Sequence, residues 1–190
     1  MLADLVRSCR STRRFKEDIP ITRETLLELV DLARLSASGG NRQPLKYWLS
    51  VDPETNGLIF PHLSWAGYLT DWPGPAKGER PAAYIVVLGD RTISEQFGVD
   101  HGIAAQTIVL AAREKGYGSC MMTSVQRQPL QEKLNLPGHL EVLIVIALGV
   151  PNETIVIEPV GQERDIKYYR DAKGVHHVPK RSLDEVVVNR

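Results

Sequence analysis

Two apolar runs constrain this chain before anything else does. Residues 82–89 (AAYIVVLG) and 141–149 (EVLIVIALG) are rich in β-branched side chains and read as central strands. Between them, residues 97–115 read as a long helix, apolar at Val99, Ile103, Ile108, Val109, Leu110, Ala111 and Ala112 and closed by Gly116 as C-cap. That helix is apolar around most of its circumference. It needs cover on more than one side, from a deep core or from a subunit interface. Nothing in the chain demands a boundary, so residues 1–190 are expected to form a single domain with a real core.

The other elements follow from local signals. Residues 1–9 read as a short helix with Leu2, Leu5 and Val6 on one face. Pro20 breaks the chain and Thr22 caps a second helix, with Glu24 in its first turn and Leu26, Leu29, Val30 and Ala33 at helical spacing. Residues 36–40 stop it, and residues 47–51 continue as a strand. Residues 52–57 (DPETNG) carry a turn signal, with Asn-Gly suggesting a hairpin into residues 58–60. Residues 61–81 hold Trp65, Tyr68 and Trp72 among glycines and prolines, a pattern of either a lid or an aromatic-pinned surface loop, with a short helix expected at 64–69. Residues 117–124 are short and mixed, 126–134 read as a short helix, and the tail alternates Ile155, Ile157 and Val160 with charges. Its three valines, Val186, Val187 and Val188, suit strand addition to a partner chain.

Composition excludes several classes. Acidic and basic side chains balance at 23 each, so no electrostatic case exists for nucleic acid or an anionic membrane. The longest apolar run, residues 142–150, is half of what a membrane span needs, and the N-terminus lacks the apolar core of a signal peptide. Cys9 and Cys120 stand far apart in no metal or redox spacing, which makes a cytoplasmic location the default. The five histidines show no zinc-binding spacing, and His176–His177 reads as an exposed loop pair. Gly-x-Ser-x-Gly and Walker A are absent, and Gly116–Tyr117–Gly118 follows a helix where a dinucleotide turn must follow a strand. Asp100–His101 reads as a hydrogen-bonded structural pair.

Two polar stretches remain. Arg10, Ser11, Thr12, Arg13 and Arg14 can surround a dianionic phosphate, or can form a solvated basic turn. One helix later, residues 36–44 (SASGGNRQP) combine Ser38, Asn41 and Gln43 with two glycines. Such a loop either simply stops a helix or offers mixed donors and acceptors to a flat heterocycle.

Together these stretches resemble the start of the nitroreductase family of FMN-dependent oxidoreductases. There Arg-Arg-Ser-x-Arg-x-Phe opens the chain and Ala-Pro-Ser-x-x-Asn-x-Gln-Pro-Trp follows one helix on. The matching residues are Arg10, Ser11, Arg13 and Phe15, then Ser38, Asn41, Gln43 and Pro44. Residues 116–120 (GYGSC) resemble the family's Gly-Leu-Gly-Ser-Cys, and residues 178–186 (VPKRSLDEV) its closing Arg-x-x-Leu-Glu-Glu-Val. The chain departs at Cys9 for an arginine, Ala37 for the proline and Leu45 for the tryptophan, which removes one charge and alters packing beside the ring.

The resemblance implies an α+β fold, a central mixed or antiparallel sheet flanked by helices, in an intertwined homodimer with FMN at the interface. It implies that Arg10, Ser11 and Arg181 hold the phosphate with Lys180 nearby, and that Arg13 reaches the ribityl chain or the N1/O2 edge. Ala37, Ser38, Asn41 and Gln43 would approach from the opposite subunit. Met121, Met122, Thr123 and Ser124 would cover one ring face, and Trp65, Tyr68 and Trp72 would contact substrate. NAD(P)H would be the reductant and a nitroaromatic, quinone or related small molecule the acceptor, in a ping-pong cycle with no side-chain nucleophile or base. A flavin-fragmenting or dehalogenating enzyme, or a flavin-carrying sensor, would share the same cofactor site.

Overall fold

The computed structural model describes residues 1–189. Its elements are α1 (Leu2–Ser8), β1 (Phe15–Lys16), α2 (Arg23–Arg34), β2 (Leu45–Ser50), α3 (Pro53–Ile59), β3 (Ala83–Asp90), α4 (Asp100–Glu114), β4 (Gly118–Met122), α5 (Arg127–Lys133), β5 (Leu140–Pro151), β6 (Ile155–Pro159), β7 (Tyr169–Arg170), β8 (His176–Lys180) and α6 (Leu183–Val186). The main sheet runs β2–β3–β5, and β4 and β1 share the other edge of β5, all antiparallel. A second sheet, β6–β8–β7, pairs β6 with β8 in parallel.

β3 and β5 are the two apolar runs, and their uniform hydrophobicity has a simple cause. On one face Ile85, Val87, Ile144, Ile146 and Leu148 pack against α2 and α4. On the other, Tyr84, Val86, Val142, Val145 and Ala147 pack against Phe15, Ile59, Trp65 and Leu130. A register shift at Val87/Leu88 leaves Leu143 as the extra residue of a bulge. Arg127 satisfies the carbonyls there, its Nε donating to Val142 at 3.0 Å and its Nη2 to Leu143 at 3.4 Å. Thr22 caps α2 as expected, accepting from the Thr25 N–H, and Gly116 ends α4 at φ 86.

Three local expectations are corrected. Residues 52–57 open α3 rather than a hairpin: Asp52 accepts the Thr55 N–H at 2.7 Å and Pro53 occupies the first turn. Asn56 then joins Ser50 to the Ala82 carbonyl, a tertiary use that overrides its turn preference. No helix forms over 64–69, because Ala66 sits at φ 39 while the Trp65 ring packs inward on Phe60; the helical turn is Phe60–His62. The terminal valines do not extend as a strand: Val186 closes α6, whose capping box joins Ser182 and Glu185.

The N-terminal arm crosses β4 at Gly118. An added Cβ at Gly118 would lie 2.6 Å from the Thr12 Oγ1 and 2.8 Å from its Cβ. Gly118→Ala is therefore expected to destabilise the protein by about 1–3 kcal/mol through overpacking. Urea denaturation checks this; an unchanged midpoint would show that the arm moves aside freely.

Candidate functional site

Residues 9–14 form an arm fixed by the Thr12 N–H donating to the Ser119 carbonyl at 2.8 Å, beside a bridge between Ser11 and Ser119. Its basic residues take different directions. Arg10 donates to the Val6 carbonyl at 2.7 Å, and its Nε is buried without a partner. Arg113 of α4 donates to the Ser8 hydroxyl at 3.2 Å. Arg7, Ser8, Arg10 and Arg113 line a cleft of about 450 Å³ with Ile155 and Ile157. Among the described residues no carboxylate pairs with Arg10 or Arg113, so their charge is open to an anion. Arg14 is spent structurally, on Glu79 at 2.8 Å.

Arg13 points toward the C-terminal sheet. Its guanidinium lies 4.5 Å above the Tyr168 ring, 3.1 Å from the His176 Nε2 and 3.4 Å from the Ser11 carbonyl. Beneath it, Glu153 accepts the backbone N–H groups of Arg13 and Arg14 and pairs with Arg170 at 3.0 Å. That carboxylate is only 1% exposed. The Arg170 guanidinium stacks on Trp72 at 4.3 Å, and Tyr68 packs on Tyr168 at 4.9 Å. The expected exposed histidine pair is thus corrected. His176 is fully buried in β8, and burial, then Arg13, push its pKa down to about 4. His177 pairs with Glu158 at 2.9 Å, which raises its pKa.

Residues 36–44 are organised by Asp100, the first residue of α4. Its carboxylate accepts from the Ser38 hydroxyl at 2.6 Å and the Gly39 N–H at 2.9 Å. The Ser38 hydroxyl in turn accepts the Gln43 N–H at 3.0 Å. The structural pair read from the sequence is therefore Asp100 with Ser38, and not Asp100 with His101. Gly40 (φ 59), Asn41 (φ 53) and Gln43 (φ 52) are all left-handed, two of them at positions where a side chain makes this costly. Asn41 and Gln43 are exposed, and Ser36, Ala37, Ser38, Gln43, Pro44 and Tyr47 line a cleft of about 170 Å³.

The Ser38 hydrogen bond, more than any other cause, holds the Asp100 carboxyl below the usual carboxylate range. A depressed carboxylate stabilises the fold above its unfolded pKa of about 3.9 and loses that contribution as pH falls through the folded value. Asp100→Asn is expected to lower stability near neutrality by roughly 1–3 kcal/mol and to flatten the acid limb. Denaturation midpoints across that pH range check it, and parallel acid limbs would refute it.

The remaining expected site residues are scattered. Met121 and Met122 belong to β4 and not to a loop, and Met122 is buried in the core; only Thr123 and Ser124 lie beyond the strand, with the Ser124 carbonyl accepting from Ser64 at 3.0 Å. Trp65 packs in the core, where it pins the aromatic loop, while Tyr68 and Trp72 stay accessible above the buried network. Lys180 ends β8 exposed, and Arg181 sits 3.6 Å from Glu185. Sequence reasoning missed Arg113, Glu153, Arg170 and His176; no spacing links them to residues 10–14.

The two polar stretches do not meet. Residues 38 and 39 attach at Asp100, and the start of the loop meets α4 again where the Ser36 and Thr107 hydroxyls lie 2.8 Å apart; the arm attaches further along α4, where the Cys9 thiol reaches the Val109 carbonyl at 3.4 Å and Ser8 meets Arg113. The 13 residues from Asp100 to Arg113 span about 20 Å of helix. Each chain thus carries two separate polar surfaces, a basic arm and a loop with left-handed backbone.

The nitroreductase family model matches residues 6–66 and 71–150. An iodotyrosine deiodinase of Thermotoga neapolitana is 23% identical, the match covering 80% of this chain and 90% of that protein. A Bacillus subtilis protein, provisionally named NAD(P)H nitroreductase MhqN, is 25% identical over 76% of this chain and 86% of its own length. The crystal structure of a provisionally named nitroreductase from Exiguobacterium sibiricum, in complex with FMN, has the same fold at a TM-score of 0.67 and 15% identity, covering 80% of this chain and 89% of that one.

Proposed function

The chain belongs to the nitroreductase family, and on that premise we propose that it is an FMN-dependent oxidoreductase working as a homodimer with one flavin in each of two interface sites. The observation that carries this reading is the separation along α4 of the arm and the polar loop, which we read as two half-sites. A flavin phosphate needs the arm and a flavin ring needs the loop, so a second copy brings them together. Supporting this, Val99 just before α4 is 72% and Ile103 within it 38% exposed, and Leu27 of α2 and Leu35 just beyond it are exposed, apolar surface that a second copy would cover.

The residues fit FMN in kind. Arg10, Ser11 and Arg113 offer uncompensated donors to a phosphate, and the buried, unpartnered Arg10 Nε marks a guanidinium whose hydrogen bonding is incomplete. Lys180 and Arg181 add cations at the end of β8. Arg13 would place a fixed positive charge beside the N1/O2 edge, favouring the negative charge that reduction puts there. Ser38, Asn41 and Gln43, held by Asp100 in a loop that costs conformational energy, would orient the ribityl chain and ring edge of the partner's site. The Thr123 and Ser124 N–H groups would approach the ring, and Tyr68 and Trp72 would border the acceptor. Bound FMN would supply the two-electron chemistry, taking electrons from NAD(P)H and passing them to a nitroaromatic, quinone or related acceptor in a ping-pong cycle.

A dehalogenating reading is favoured by one observation, the aromatic loop with Tyr68 and Trp72 above the arginine network, together with the deiodinase-named relative. One assay separates the two. The purified protein should be yellow, release FMN on heating, and oxidise NAD(P)H with a nitroarene or quinone. A flavoprotein inert to those acceptors but active on a halogenated phenol takes the second reading. A colourless protein that takes up no FMN at micromolar concentration refutes both.

A further inference from the structure

We infer that His176 is a positioning residue for Arg13: an uncharged acceptor that aims the guanidinium while leaving its positive charge intact for the flavin. The inference rests on the placement of Arg13 at the flavin under the proposed function.

The chemistry of the pair fixes the histidine's form. A guanidinium has five donors and no acceptor, so the Nε2 3.1 Å from the Arg13 Nη1 must be unprotonated and the proton must sit on Nδ1. That Nδ1 is buried without a partner, and the ring is held instead by packing, with Tyr168 5.3 Å away. The groups around it are Arg13, Arg170 and His177, which oppose its protonation, and Glu153, which favours it. Burial adds to the first three, and the ring stays neutral at physiological pH.

A carboxylate would hold Arg13 more tightly but would cancel its field, and the structure avoids that arrangement. Glu153, beneath the arm, is committed to the backbone N–H groups of Arg13 and Arg14 and to Arg170. The Arg13 side chain touches the Ser11 carbonyl, the His176 ring and the Tyr168 face. All three are neutral, and among the described residues no carboxylate lies within ion-pair distance of that guanidinium. A cation oriented without being neutralised is what an electron-accepting ring needs beside it, because the charge is wanted only once the ring becomes anionic.

Three substitutions in the full-length protein test this, read by the dissociation constant of oxidised FMN and by the midpoint potential of the bound flavin. His176→Gln keeps a neutral acceptor and is expected to hold FMN within about threefold of wild type at an unchanged potential. His176→Leu removes the acceptor and should weaken FMN about tenfold, the loss of one hydrogen bond to a charged group. His176→Glu supplies an acceptor whose charge Arg13 and Arg170 favour against burial and the nearby Glu153, and a titration of the variant by NMR verifies that it is ionised. The variant should weaken the reduced flavin about tenfold relative to the oxidised one, a potential lower by about 30 mV for a two-electron couple. A merely structural histidine would move thermal stability in all three and the potential in none. A folded Glu variant with the wild-type potential, or a Gln variant as damaging as Leu, overturns the inference. If Arg13→Ala leaves FMN affinity and potential unchanged, the placement of Arg13 fails and the role of His176 with it. If wild type binds no FMN, the proposed function has failed.

Discussion

Glu153→Ala is expected to destabilise this protein more than any other single substitution considered, by about 3–5 kcal/mol. The carboxylate is 1% exposed and answers three donors at once: two backbone N–H groups of the arm and the Arg170 guanidinium. Removing it strands a guanidinium that is itself only 14% exposed, sandwiched against Trp72, with its Nε already lacking a partner. Breaking one side of a buried pair costs far more than the pair contributes, because the remaining charge stays desolvated. The arm would also lose its anchor, so FMN retention should fall together with stability. Glu153→Gln should recover part of the loss, since its amide oxygen still accepts from the arm. Denaturant unfolding of the three proteins decides the matter: a loss under about 1 kcal/mol for alanine would show that water already reaches Arg170.

How much of this was legible in the sequence follows from the range over which each signal acts. β3, β5, α2 and α4 could be read because their patterns are local: β-branched runs, helical spacing, a threonine cap and a closing glycine. The Asn-Gly at residues 56–57 misled because Asn56 is used by Ser50 and Ala82, partners that a local reading cannot supply. β4 was hidden for a related reason: residues 118–122 are too short and mixed to announce a strand, and the long edge of β5 makes them one. The arm and the loop were legible as compact motifs, and the structure adds that Asp100 holds the loop. The network under Arg13 was not legible at all. Glu153 reaches Arg13 across 140 residues and His176 reaches it across 163; the pairing of β1 with β5 brings the first into place and the second sheet the other. For the same reason His176–His177, read as a surface pair, divides into a buried neutral ring and a partly buried one beside Glu158, since alternate strand residues face opposite sides.

The two half-sites lead to the second large effect, a complementation between two defective chains. One chain would carry Arg10→Ala and Arg13→Ala. The other would carry Asn41→Gly and Gln43→Gly, which remove the polar side chains yet suit the left-handed backbone at both positions and so should not unfold the loop. Each homodimer is expected to purify nearly without FMN. In a heterodimer isolated through two different tags, the arm and the loop recombine across a two-fold axis. One site then receives both defects and the other receives neither, so about one FMN per dimer should return, against about two in wild type. If arm and loop instead served the same flavin within one chain, every site in the heterodimer would carry one defect and flavin would stay near zero. The two arrangements thus differ in stoichiometry rather than in degree, which makes the absorbance of the isolated heterodimer decisive. Circular dichroism of each parent excludes unfolding as the cause of flavin loss. A folded heterodimer no yellower than its parents would place both half-sites in one chain and refute the assembly proposed from their separation along α4.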